Sequence, residues 1–436
     1  MQGDGDMRAM LWDAMPDRAG MEPEYSEQFR CIGAACEDTC CSGWGVVFDQ
    51  AACAKYASLP DSPLKVLIET HVKPLPPGVD GTTPESFAKV ELTGDNACPF
   101  LNAERYCQIQ VEYGEEYLST TCAVYPRIVN KIDGREEKAL TLSCPEAARL
   151  VLLSPDLLQG DAGSHLLRTA EEMVLPALRG SAQRPVAMLA HFWPLRAFVL
   201  GLLTHREYAV WQRLFLLGVF TRRVSALARG ELDRGLDEVM KDFAAAVDSG
   251  MLREAMDSIQ ADVPLQLDMV LRLAGLRLPR THVGQRFLDT VDEFKSGIGN
   301  GPGATMESLT ANYAEAHERW YAPFFEAHPH VLENLLVNAV FRSLFPFGRK
   351  SGEPNAVLDM EREFALLATQ YALTKGLLIG VAGHYREAFG AEHVVKTVQA
   401  ASKHFEHHPG FLDEAYGLLV AGKLDNARGL TMLVRN

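Results

Sequence analysis

All nine cysteines of the 436-residue chain lie between Cys31 and Cys144. Thiolates ligate zinc and iron–sulfur centres, so cysteines gathered in this way point first to metal or redox chemistry. The first group is Cys31-x4-Cys36-x3-Cys40-Cys41, followed directly by Ser42-Gly43-Trp44. A helical turn across Cys36 and Cys40 would set both on one face. Adjacent side chains diverge, so Cys40 and Cys41 suit a larger cluster better than one small ion, unless one of them is not a ligand. In the second group Cys98 and Cys107 flank a turn near Asn102 and Ala103, which predicts that the two arms bring them together. Asp133-Gly134 is a two-residue hairpin signal whose register places residue 123 opposite 144, and so carries Cys122 toward Cys144. Cys53, in an alanine-rich helical stretch, reads as core. The predicted metal ligands are therefore Cys31, Cys36, Cys40, Cys41, Cys98, Cys107, Cys122 and Cys144. Spacing alone leaves zinc and iron–sulfur both open.

The elements that must hold these thiols change character along the chain. Residues 21–150 mix turns with short β-type runs at Trp44–Phe48, Ala88–Leu92, Tyr106–Val111 and Ile128–Ser143. From residue 151 to 436 apolar residues recur at helical spacing, as in Val186–Leu203, Glu207–Ala228, Ser308–Tyr321, Val331–Leu344 and Glu361–Ala388. The expected fold is mainly α: a flexible N-terminus over 1–20, then a cysteine-rich α+β metal-binding domain with short hairpins, packed on a C-terminal helical bundle. The glycines of residues 297–303 follow a polar helix and not a buried strand, so they read as a mobile connector and not as a phosphate loop.

Composition narrows the function. A formal net charge of −15 with no basic patch argues against a nucleic-acid partner. The apolar stretch from Ala197 to Phe220 is broken by His205, Arg206, Glu207 and Arg213, which argues against a membrane span. Met1–Gly20 carries four aspartates and lacks the apolar core of an export signal, so a cytoplasmic location is expected. The cytosol is reducing, which favours metal binding over disulfides.

At the cysteine motifs the chain resembles the flagellin lysine N-methylase family, within a wider group whose closely spaced cysteines are taken to chelate iron or zinc. The resemblance is carried by Cys31, Cys36-Glu37-Asp38-Thr39-Cys40-Cys41-Ser42-Gly43-Trp44, Cys98-Pro99-Phe100-Leu101, Cys122 with Tyr125-Pro126-Arg127, and Leu142-Ser143-Cys144-Pro145. It continues through Glu333–Asn338, Phe341-Arg342, Leu344-Phe345-Pro346 and Gln399–His407. What it implies is transfer of a methyl group from S-adenosylmethionine to lysine side chains of flagellin, with a four-iron cluster on the cysteines.

Lysine methylation needs a neutral amine, and the polar groups nearest the cysteines, Tyr125, Glu37 and Asp38, are the candidate catalytic residues. Asn334, Asn338 and Arg342 form a polar stripe on an apolar helix, which suggests a lined cavity or a cross-helix network. Arg342 and Arg127 are candidates to clamp the cofactor's carboxylate. His404, His407 and His408 end a helix and read as structural. No strand–glycine–helix unit marks a Rossmann methyltransferase. A three-cysteine motif for radical chemistry would need a cysteine where Gly43 stands. The alternative reading is a non-catalytic zinc- or iron-binding interaction module.

Overall fold

A computed structural model describes residues 25–76, 83–94, 96–132, 135–155, 157–158, 191–227, 232–276, 284–348, 359–407 and 410–435. The protein is mainly α, and its apolar side chains bury into two cores of very different size. The smaller holds eleven buried residues between Val46 and Ile109. Its frame is an antiparallel sheet of β1 (Val47–Phe48), β2 (Val72–Pro74) and β3 (Ala88–Val90), with β3 in the middle. Helices Gln50–Ala57 and Pro63–His71 contribute Ala52, Tyr56, Leu64 and Ile68 to the same core. Both start on side-chain caps. Asp49 accepts from the Ala52 N–H at 2.8 Å, and Ser62 from the Lys65 N–H at 3.1 Å.

The larger core begins at Tyr25 and Phe29, takes in the hairpin of β4 (Arg127–Ile132) and β5 (Arg135–Leu140), and continues through the helical remainder. At its centre lies helix Met360–Tyr385, 26 residues long and buried on nearly every side. Helices Val210–Ser225, Val263–Gly275, Gln285–Gly297 and Ala391–Glu406 pack around it. A helix apolar all round belongs in an interior. Its most apolar window is long enough to cross a membrane, but 94% of that window is buried in the fold, so the face that lipid would need is already covered by protein.

Several expectations change. Residues 106–111 do not form a strand: Gln108–Tyr113 is a short helix that buries Ile109 and leaves Val111 exposed. Alternation over so short a run was a chance match to the strand period. No helical turn joins Cys36 to Cys40, because Cys36 is already extended after the Gly33–Ala35 turn. The cores do not divide at residue 150, since hairpin β4–β5 and helix Pro145–Leu153 already belong to the larger one. Gly297 is a packing residue before it is part of a connector: a Cβ there would collide with the Gly380 carbonyl of the central helix. Residues 1–20, the Asp133-Gly134 turn, residues 186–190 and His408 lie outside the described residues.

Candidate active site and cysteine cluster

A cavity of about 920 Å³ opens between the two cores. That volume falls in the range of small-molecule sites. From the cysteine-rich side it is lined by Asp49, Ala54, Thr120, Tyr125 and Arg127, and from the helical side by Arg342, Glu406 and His407, with Thr141 between them. Three of the predicted residues, Tyr125, Arg127 and Arg342, therefore meet in one place although 215 positions separate Arg127 from Arg342 in the chain.

Their hydrogen bonds form one network. The Ser143 hydroxyl lies 3.1 Å from the Tyr125 hydroxyl, 2.9 Å from Thr141 Oγ1 and 2.9 Å from His407 Nε2. Thr141 in turn donates to Glu406, which also pairs with Arg342 Nε at 3.5 Å. Each hydroxyl has one proton to give. With the Thr141 proton on Glu406, every contact is satisfied when Ser143 donates to Thr141 and accepts from Tyr125 and from His407 Nε2–H. Trp44 stacks on His407 at 4.5 Å between ring centroids, and its indole N–H donates to the Cys40 carbonyl at 2.9 Å. The ring therefore ties the first cysteine loop to the cavity wall.

Burial, with the Cys144 thiol beside it, pushes the Tyr125 phenol well above its usual range. It stays protonated at neutral pH, which makes it a positioning hydroxyl and not a base. Arg127 donates to the Phe29 carbonyl at 3.1 Å and lies over the Phe29 ring. Among the described residues its buried Nε has no partner, which leaves a donor for a ligand. Desolvation, followed by the charge of Arg30, lowers its pKa from the ordinary arginine value.

The remaining predicted residues are committed elsewhere. Glu37 pairs with Arg149 at 2.5 Å, away from this cavity. Asp38 is held by Lys403 at 2.8 Å and by the Gln399 amide at 2.7 Å, tying the cysteine loop to helix Ala391–Glu406. Asn334 donates to the Val151 and Ser154 carbonyls at 2.9 and 2.7 Å. Asn338 accepts from the Tyr25 hydroxyl at 2.7 Å and donates to the Leu140 carbonyl at 2.9 Å. The polar stripe is thus a cross-element network for both asparagines, and only Arg342 reaches the large cavity. His407, read as structural from its position at a helix end, belongs to the site, as do Trp44, Thr141, Ser143 and Glu406. The signal available for His407 was its place just beyond the buried helix Ala391–Glu406, where the chain leaves the core.

The cysteines assort differently from the hairpin prediction. The Cys98 N–H bonds to the Cys41 carbonyl at 2.6 Å, and the Cys41 thiol lies within hydrogen-bond reach of the Cys40 and Cys98 thiols. Those two neighbours lower the Cys41 pKa, while Cys40 and Cys98 are themselves pushed up. The bridge between Leu101 and Cys107 sets a register that carries Cys98 past Cys107. Cys122 keeps an exposed edge, yet desolvation by the surrounding chain raises its thiol to about 12, with the charges of Cys41 and Cys107 adding to it. Burial likewise raises Cys144 to about 12, with Cys36 and Cys31 adding to it. Beyond Cys41 and desolvation, the charges of Cys122 and Cys144 also raise Cys40. As a donor set, eight thiols on one side of the molecule fit a thiophilic centre in kind. Among the described residues, no three His, Cys, Asp or Glu side chains are arranged to hold a metal ion.

Fold and site together define a helical protein with a cysteine-rich cap and a ligand-sized cavity between cap and body. The FliB lysine N-methylase C-terminal domain matches residues 196–433, more than half of the chain, and the protein belongs to that family. It is 23% identical over 393 residues to the Lysine-N-methylase of Salmonella typhimurium, covering 89% of this chain and 92% of that relative. The Lysine-N-methylase of Salmonella choleraesuis is similar to the same extent. The Flagellar biosynthetic protein FliU of Salmonella muenchen is 29% identical over 136 residues, 31% of this chain and 78% of the relative. No solved structure matches the chain.

Proposed function

We propose that this protein is a cytoplasmic protein-lysine N-methyltransferase that moves a methyl group from S-adenosylmethionine to lysine side chains of flagellin. The observation that carries this reading is the cavity of about 920 Å³ with arginines from both sides of the molecule, in a chain whose relatives are named lysine-N-methylases. Arg127, with its spare Nε donor, and Arg342 suit the carboxylate of the donor's methionine end. The Tyr125 and His407 rings line this cavity and offer π surface to a sulfonium, with Trp44 stacked on His407.

In the transfer, the lysine nitrogen lone pair forms the new bond to the methyl carbon while the carbon–sulfur bond breaks. The electron pair of the broken bond stays on sulfur as a thioether. One proton leaves the lysine ammonium, and His407, which bonds the Ser143 hydroxyl at the cavity wall, is the residue to receive it. Tyr125 keeps its proton and orients Ser143.

Cys31, Cys36, Cys40, Cys41, Cys98, Cys107, Cys122 and Cys144 are the thiols from which the four ligands of a four-iron cluster would come. A cluster spread over several thiols asks less convergence of them than a single zinc, whose four ligands stand about 4 Å apart. When bound, it supplies a rigid link among the loops that carry Trp44 and Tyr125.

Two measurements test these assignments. Anaerobically purified protein incubated with methyl-labelled S-adenosylmethionine and flagellin should yield labelled methyl-lysine, and His407→Gln should lower the rate about a hundredfold. No transfer by folded, cofactor-replete protein overturns the function. Iron and sulfide in a brown protein support the cluster, and a colourless protein with tightly bound zinc overturns it.

A further inference from the structure

Arg342 and Glu406 border two cavities. One is the cavity of about 920 Å³ already described. The other, of about 480 Å³, is walled by Arg362, Glu363, Leu412 and Asp413 and shares Arg342 and Glu406 with the first. A void of about 30 Å³ lies against the same pair. The two side chains are 16% and 9% exposed, yet they meet through one long contact of 3.5 Å, and Arg342 reaches Gln370 at only 3.3 Å. A bidentate arginine–carboxylate pair would be shorter and stronger. This pair can exchange partners at small cost.

Methyl transfer is an in-line displacement, so the acceptor nitrogen approaches the methyl carbon from the side opposite the departing sulfur. A donor filling the first cavity therefore leaves the acceptor to arrive from another direction. The second cavity reaches the first at a carboxylate, the group that would receive an ammonium.

We infer that the substrate lysine reaches the site through the cavity of about 480 Å³ and that Glu406 receives its ammonium, while Arg342 turns to the donor's carboxylate. The inference rests on the reading of the larger cavity as the donor site. Glu406 holds the amine in line, and the adjacent His407 takes the proton. The side chains that face the incoming lysine, Glu363 and Asp413, are acidic, with Arg362 held between them at 3.5 and 2.5 Å. A lysine flanked by carboxylates on its own protein would be disfavoured relative to one that stands among uncharged residues.

The test uses the full-length protein and intact flagellin, with donor binding measured directly on each variant. Leu412→Trp narrows the second cavity, and should raise KM for flagellin at least about tenfold while leaving the donor Kd unchanged. Asp413→Lys, at a side chain 58% exposed, places a cation against the incoming lysine and gives the same split should Leu412→Trp not fold. Glu406→Gln should raise KM for flagellin without weakening the donor. Ala54→Trp, in the larger cavity, should do the reverse and weaken the donor. A KM for flagellin that responds to Ala54→Trp and ignores both second-cavity variants overturns the inference. Wild-type protein that neither binds the donor nor transfers methyl overturns the underlying function instead.

Discussion

The cysteine-rich cap and the helical body solve the problem of stability by different means. The body surrounds its central helix with apolar side chains and locks buried charges in pairs, Arg196 with Glu137 at 2.8 Å and Arg213 with Glu333 at 2.7 Å. Among the described residues the cap has eleven buried side chains on short helices, loops and strands of two or three residues, too little for a core of that size to stand alone. What it has instead are thiols and ties to the body, such as Asp38 with Lys403 and Trp44 with His407. The difference teaches that order in the cap is borrowed from the body and, on the proposed assignment, from a cluster on its thiols. The site sits where the two meet.

Four measurements sharpen or break that contrast. The largest effect is expected on removing bound metal: amide exchange should accelerate throughout residues 46–109 and leave 360–385 protected. Equal loss in both regions would break the comparison. Next comes Arg196→Met, which leaves Glu137 buried and unpaired and should cost the body about 3–5 kcal/mol in denaturant unfolding.

Third is a pH effect confined to the body. Lys375 is buried with its ammonium on the Val434 carbonyl at 3.0 Å, and burial lowers its pKa to about 7. The unfolded lysine keeps its proton to about 10.4, so between these values the unfolded state binds more protons and stability rises with pH. From about pH 7 to pH 9 the wild type should gain about 2 kcal/mol that Lys375→Met does not. The smallest effect is expected in the cap. Burial raises the Asp49 carboxyl, but the Thr120 and Ala52 N–H groups more than offset it and hold its pKa below the usual value. Asp49→Ala removes that cap and should cost about 1 kcal/mol, seen as a lower cap transition with the body unchanged.

The sequence by itself determined the mainly α class, most of the helices, and the concentration of thiols in one region. Those follow from local rules: the 3.6-residue period, capping residues and cysteine counts act over a few positions. It also marked Tyr125, Arg127 and Arg342 as candidates, Arg342 by its place in a polar stripe among apolar neighbours and Arg127 by its place just after Tyr125-Pro126. The tertiary structure alone decided that these three share a cavity with His407, that Asn334 and Asn338 bond to Val151, Ser154 and Leu140, and that Cys98 meets Cys41. Those outcomes depend on which distant backbone groups burial leaves unpaired. A buried asparagine looks the same in the sequence whether a carbonyl of another helix or a ligand will satisfy it, and only the packed chain supplies the partner.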